Sequence, residues 1–83
     1  MPLYMDTHKN VQGLTAEAVA GAQQKDLEVQ CKHGVNYLNI LFNEGDGTVF
    51  CLVEAPSKES AVEVHREAHG LLPDDVVEVR EGG

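Results

Sequence analysis

The chain has 83 residues, 42% of them hydrophobic, with a formal net charge of −8 and a pI near 4.7. That length accommodates one domain, residues 1–83, near the size at which a single core only just suffices, so packing against a second copy would help it. Six Lys and Arg against fourteen Asp and Glu argue against nucleic acid and anionic membranes as partners, because such surfaces are bound by displacing counterions with basic side chains; cations suit this acidic chain better.

No apolar run reaches the ~18 residues of a spanning helix, and no basic segment precedes an apolar one as in a secretory leader. The sequence therefore reads as cytoplasmic, and Cys31 and Cys51 are expected as reduced thiols rather than a disulfide.

Taken in order, Pro2–His8 alternates as a strand, with Leu3 and Met5 on one face and Tyr4, Asp6 and His8 on the other. A polar connection over Lys9–Gly13 leads to Thr15, a helix N-cap with Glu17 in the first turn. The helix that follows is expected to bury Ala16, Val19 or Ala20, Leu27 and Cys31, and to end at a left-handed Gly34. Val35–Phe42 reads as a second strand, joined through Glu44-Gly45-Asp46-Gly47 to a third in an antiparallel hairpin.

That third strand, Val49–Ala55, carries apolar groups on both parities, which predicts cover on both of its faces, and Pro56 ends it. Ser57 caps a second helix with Ala61, Val62, Val64, Ala68 and Leu71 inward; Gly70 and Pro73 stop it. Val76–Arg80 is a last short strand before a Gly-Gly end expected to fray.

The order strand, helix, strand, strand, helix, strand is the split βαβ, or ferredoxin-like, α+β plan. Right-handed crossovers put both helices on one face of a four-stranded antiparallel sheet, with the first and third strands central. The other face stays open. Tyr4, Val35, Tyr37, Leu41, Val49, Cys51 and Val53 are its expected occupants, and a homodimer packed sheet to sheet would bury so apolar a patch; pairing through edge strands is the alternative.

Chemistry concentrates in few residues. Asp6 and His8 share a strand face about 7 Å apart, a spacing suited to one metal ion, and Cys51 on the neighbouring strand can add a thiolate. The plainer reading has both polar groups leaving the sheet at its end. His65 and His69 are an i, i+4 pair on one helical face. Arg66 follows His65, so this is not the His-Glu-x-x-His of a zinc protease, and two solvated histidines are the bland alternative. Cys31 reads as a core thiol, His33 as exposed, and Glu54 as a carboxylate within reach of a histidine or simply on the surface. No nucleophile elbow and no glycine-rich phosphate loop occurs.

Met5-Asp6-Thr7-His8, Gly13-Leu14-Thr15, Gly34-Val35, Gly47-Thr48-Val49-Phe50-Cys51-Leu52-Val53-Glu54-Ala55-Pro56 and His65-Arg66-Glu67-Ala68-His69-Gly70 together resemble the small bacterial nickel-binding, ferredoxin-like proteins. The resemblance spans nearly the whole chain. It implies a dimer that takes up Ni²⁺ and sequesters surplus metal, with Asp6, His8, Cys51, Glu54 and His65 as candidate ligands by motif position; His69 joins them as a candidate through its i, i+4 spacing to His65. Gln23 stands where many such chains are expected to carry a histidine. The rival reading is a small dimeric α+β barrel enzyme, an isomerase or oxygenase, whose pocket lies on the open sheet face with Asp6 and His8 as an acid–base pair.

Overall fold

The computed structural model describes residues 1–82; Gly83, part of the end expected to fray, lies outside the described residues. Both helix starts are set by single hydroxyls. The Thr15 side chain accepts from the Ala18 N–H and opens α1 (Ala16–Val29), and the Ser57 side chain accepts from the Ser60 N–H and opens α2 (Lys58–Ala68). A 3₁₀ turn, Gln30–His33, extends α1 to Gly34, whose φ of 66° gives the left-handed exit. Beyond α2, the Gly70 N–H returns to the His65 carbonyl at 2.8 Å and ends the helix.

Four strands, β1 (Leu3–His8), β2 (Asn36–Asn43), β3 (Thr48–Glu54) and β4 (Asp75–Val79), form one antiparallel sheet in the order β2-β3-β1-β4. The ferredoxin-like α+β plan is therefore present, with the first and third strands in the middle as expected.

Which face lies under the helices differs from the sequence reading. Tyr4, Asp6 and His8 stand opposite Val53, Cys51 and Val49. All six are buried, with Tyr37, Val35, Ala55, Ala61 and Val64 completing the core between sheet and helices. Of the residues expected on the open face, only Leu41 is there, opposite Phe50. Two causes combine. Leu38 is an extra residue where the β2–β3 register shifts, so Tyr37 and Leu41 fall on opposite faces although their spacing is even. Asp6 and His8 are accepted inside because they meet polar partners there, which apolar patterning alone does not register. The open face instead carries Leu3, Met5, Leu41, Phe50, Leu52 and Val77, of which Leu41 and Val77 are more than half exposed.

The buried stripe of α1 also differs. Val19 and Asp26, seven apart, face the sheet, whereas Ala16, Ala20, Leu27 and Cys31 are exposed. In α2, Ala61, Val64 and His65 are buried, while Leu71 beyond its end is exposed.

Gly47 joins the hairpin to the β1–α1 connection. Its carbonyl accepts from the Val11 N–H at 2.9 Å, its φ is +67°, and a Cβ there would sit 3.1 Å from the Val11 carbonyl oxygen. Gly47→Ala is expected to cost about 1–2 kcal/mol of stability, from left-handed strain plus the displaced loop. A urea midpoint equal to that of the unaltered chain would show that the loop moves freely.

Candidate metal centre

Five elements bring polar side chains to one place beneath the helices. Strand β1 supplies Asp6 and His8, β3 supplies Cys51, β2 supplies Tyr37, α2 supplies His65 and α1 supplies Asp26. His69, just past α2, joins them from the rim and is half-buried. All but His69 are buried, and Asp6 and His65 are almost completely so.

His65 is the hub. Its Nε2 lies 2.9 Å from Asp6 Oδ2, and its Nδ1 lies 2.9 Å from Asp26 Oδ1. An ionised carboxylate can only accept, so both ring nitrogens carry hydrogen and the ring is an imidazolium. Tyr37 Oη donates to the Ala61 carbonyl at 2.9 Å and sits 2.9 Å from His65 Nε2 and 3.4 Å from Asp6 Oδ2. His69 Nε2 approaches Asp26 Oδ1 at 3.2 Å.

The electrostatics follow from these contacts. Burial disfavours a charged His65, yet its hydrogen bonds to Asp26 and Asp6 outweigh that and hold its pKa up at about 9. Burial likewise works against an ionised Asp6, but His65 and His8 bring it down to about 2. For Asp26, too, burial is the largest influence and opposes charge; the imidazoles of His65 and His69 reverse it, and its pKa falls below the usual carboxylate value. Cys51 and Tyr37 move the other way: burial first, then the negative charge of Asp6, pushes both well above their ordinary values. Asp6 and Asp26 are thus carboxylates, His65 an imidazolium and Cys51 a protonated thiol.

One part of it is incompletely satisfied. Asp6 Oδ1 and His8 Nδ1 are buried without a hydrogen-bond partner. His8 Nε2 is 3.2 Å from that same Asp6 Oδ1, close enough for an ion pair but too poorly aligned for a hydrogen bond.

The donor set fits a transition metal. Asp6, His8, Cys51 and His65 each offer an atom within 4.8 Å of the others', and Asp26, His65 and His69 form a second such group around the shared ring. Bonds of about 2.0–2.3 Å to nitrogen, oxygen and sulfur in a tetrahedron imply ligand separations of about 3.3–3.8 Å, so small side-chain adjustments suffice.

Five of the six residues singled out in the sequence, Asp6, His8, Cys51, His65 and His69, are brought together. Glu54 is not. It stands opposite Leu3 and Asn36, toward the open face, and accepts from Asn36 Nδ2 at 3.2 Å. Cys31, expected in the core, is exposed, and His33 is half-buried with its Nε2 3.2 Å from Glu67 Oε1. Sequence reasoning missed Asp26 and Tyr37. The available signal for Asp26 was a carboxylate seven residues after Val19 on one helical stripe.

Beside the cluster lies a cavity of about 130 Å³, lined in part by the β1–α1 connection and by Leu71. Val19, Ala22, Ile40 and Val49 form apolar walls, and His8, Cys51 and His65 lie among its lining residues. The pocket is on the helix side of the sheet, not on the open face where the enzyme reading placed it.

A ferredoxin-like α+β domain with imidazole, carboxylate and thiol donors gathered between its sheet and helices defines the class. The chain belongs to the family described as "Nickel responsive protein SCO4226-like", which matches residues 4–79. Its fold is similar to the crystal structure of SCO4226 from Streptomyces coelicolor A3(2), with a TM-score of 0.91 and 32% identity over 98% of this chain and 99% of that one. Among curated proteins none matches. The resemblance carried by the Asp6-x-His8 pair and the Phe50–Pro56 run is thus upheld at the level of family. No helix among the described residues is long and apolar enough to cross a membrane.

Proposed function

We propose that this protein binds a divalent transition metal, Ni²⁺ foremost, and removes surplus ion from the cytoplasm. The observation that carries the reading is the convergence of Asp6, His8, Cys51 and His65, four buried donors within 4.8 Å of one another. Imidazole and thiolate are ligands that late first-row metals prefer over oxygen-only sites, and the nickel in the family's description favours Ni²⁺ among them. Asp26 then acts from behind: by accepting from His65 Nδ1 it fixes the ring with Nε2 turned toward Asp6.

A homodimer formed through the open sheet face accompanies this reading. Leu41, Phe50 and Val77 on that face are exposed apolar groups that a second copy would remove from water. No part of the cluster faces that surface, so metal binding by the monomer is expected to be complete in itself.

Isothermal titration of Ni²⁺ into chelator-treated protein tests the proposal. One tight site per chain is expected, weakened at least about tenfold in His8→Ala and in Cys51→Ala, the loss typical of a missing ligand or its support. Unchanged affinity in both variants would remove these residues from the site and the site from the account.

A further inference from the structure

We propose that Tyr37 is a further ligand of the metal centre, its hydroxyl oxygen adding a fifth donor that suits Ni²⁺ and that Zn²⁺ does not need. The inference rests on the metal-binding reading above and names which ions that site prefers.

Three observations support it. The first is position. Tyr37 Oη lies 2.9 Å from His65 Nε2, the same distance as Asp6 Oδ2 from that nitrogen, and 3.4 Å from Asp6 Oδ2 itself. An ion taken up between His65 Nε2 and Asp6 therefore has the hydroxyl oxygen as a near neighbour. The second is direction. A phenol hydroxyl has one hydrogen and two lone pairs, and the hydrogen goes to the Ala61 carbonyl at 2.9 Å. The lone pairs remain for the side where His65 and Asp6 stand. The third is fixity. Tyr37 is buried, its ring packs on that of His65 with centroids 4.9 Å apart, and its backbone N–H donates to the Gln30 side chain at 2.9 Å.

The spacing of the donors bears on the kind of ion. Bonds of about 2.1 Å at right angles set neighbouring donors about 3.0 Å apart, against about 3.3–3.8 Å in a tetrahedron. Two edges of the triangle formed by His65 Nε2, Asp6 Oδ2 and Tyr37 Oη measure 2.9 Å. These are the lengths of the hydrogen bonds that hold the cluster together, and they already match right-angled spacing, so these donors need not draw apart. Ni²⁺ favours right-angled, tetragonal surroundings. Zn²⁺ takes four tetrahedral ligands, which Asp6, His8, Cys51 and His65 supply without the tyrosine.

Ni²⁺ and Zn²⁺ are titrated separately into the chelator-treated unaltered chain and into Tyr37→Phe, which keeps the ring and removes only the oxygen. Nickel K-edge X-ray absorption is recorded on the nickel-loaded unaltered chain. Tyr37→Phe is expected to bind Ni²⁺ about tenfold more weakly and Zn²⁺ within about twofold of the unaltered chain, and the absorption spectrum is expected to show five or six donors around nickel. Equal changes for the two ions would make Tyr37 a support of His65 or a bystander rather than a ligand. Tetrahedral nickel in the unaltered chain would exclude the hydroxyl even if Tyr37→Phe failed to fold. Either result overturns the inference and leaves nickel binding in place, whereas no uptake of Ni²⁺ by the unaltered chain would overturn both.

Discussion

Replacing His65 by alanine is expected to destabilise the metal-free protein by about 3–5 kcal/mol, the range observed when one member of a buried ion pair is removed. Among the described residues, His65 is the only one whose side chain touches both Asp6 and Asp26 through close hydrogen bonds, 2.9 Å on each side. Without it two carboxylates remain almost fully enclosed, facing each other's charge across the space the ring left. A domain of this length has only some 5–10 kcal/mol in hand, so the variant should unfold well below the denaturant concentration that the unaltered chain withstands. His65→Ala combined with Asp26→Ala should lose less than the sum of the two single changes, since the second removes a charge that the first stranded. Urea denaturation of the four chains checks both statements. A loss below 1 kcal/mol in His65→Ala would mean that water reaches the carboxylates.

Nickel affinity should rise steeply with pH, by about a hundredfold per pH unit up to about pH 9, where both groups give up a proton, and by about tenfold per unit beyond it, where only the Cys51 thiol still does. His65 is held protonated to about 9 by burial-resistant hydrogen bonds to Asp26 and Asp6, and the Cys51 thiol is pushed up by burial and Asp6. Both groups must lose a proton to become ligands, so each ion taken up near neutral pH releases about two protons. The metal-free fold responds in the opposite direction. A ring whose pKa is 6.5 unfolded and about 9 folded contributes its stability in full below 6.5 and loses it as the pH rises through 9, a total of about 3 kcal/mol. Asp6, lowered from 3.8 to about 2, contributes above 3.8 and loses that contribution as the pH falls through 2. Titration calorimetry in buffers of different ionisation enthalpy measures the proton count, and thermal melts of the metal-free chain from pH 6 to pH 10 measure the other slope. Affinity flat between pH 6 and pH 8 would place the metal on groups other than His65 and Cys51.

Element order and helix starts were legible because they depend on local chemistry. Thr15 and Ser57 cap the helices they precede, Gly34 and Gly70 take the positive φ their positions require, and the hairpin turns at Glu44–Gly47. The site was partly legible for the same reason: Asp6 and His8 share a face because a strand alternates, and His65 and His69 because a helix turns every 3.6 residues. What remained hidden depends on contacts between elements. The extra residue at Leu38 reverses the parity of the rest of β2, and no turn signal marks it in the sequence. Asp26 is inside because His65 from a distant segment satisfies it, where a pattern of apolar residues assigns a carboxylate outward, and Tyr37, read as part of the apolar open face, lies under the helices with its hydroxyl on His65 and the Ala61 carbonyl. Leu27 and Cys31 were assigned inward by the same rule, whereas the α1 face that meets the sheet is centred on Val19 and Asp26.

The most direct measurement is an anomalous-difference map, recorded at the nickel absorption edge, from crystals of this protein grown with Ni²⁺. The account predicts a peak between α2 and the sheet, within bonding distance of atoms from Asp6, His8, Cys51 and His65, that disappears in Cys51→Ala or moves toward Asp26 and His69. Peaks confined to exposed carboxylates or to His33, with the interior imidazole and carboxylates still paired to one another, would contradict it.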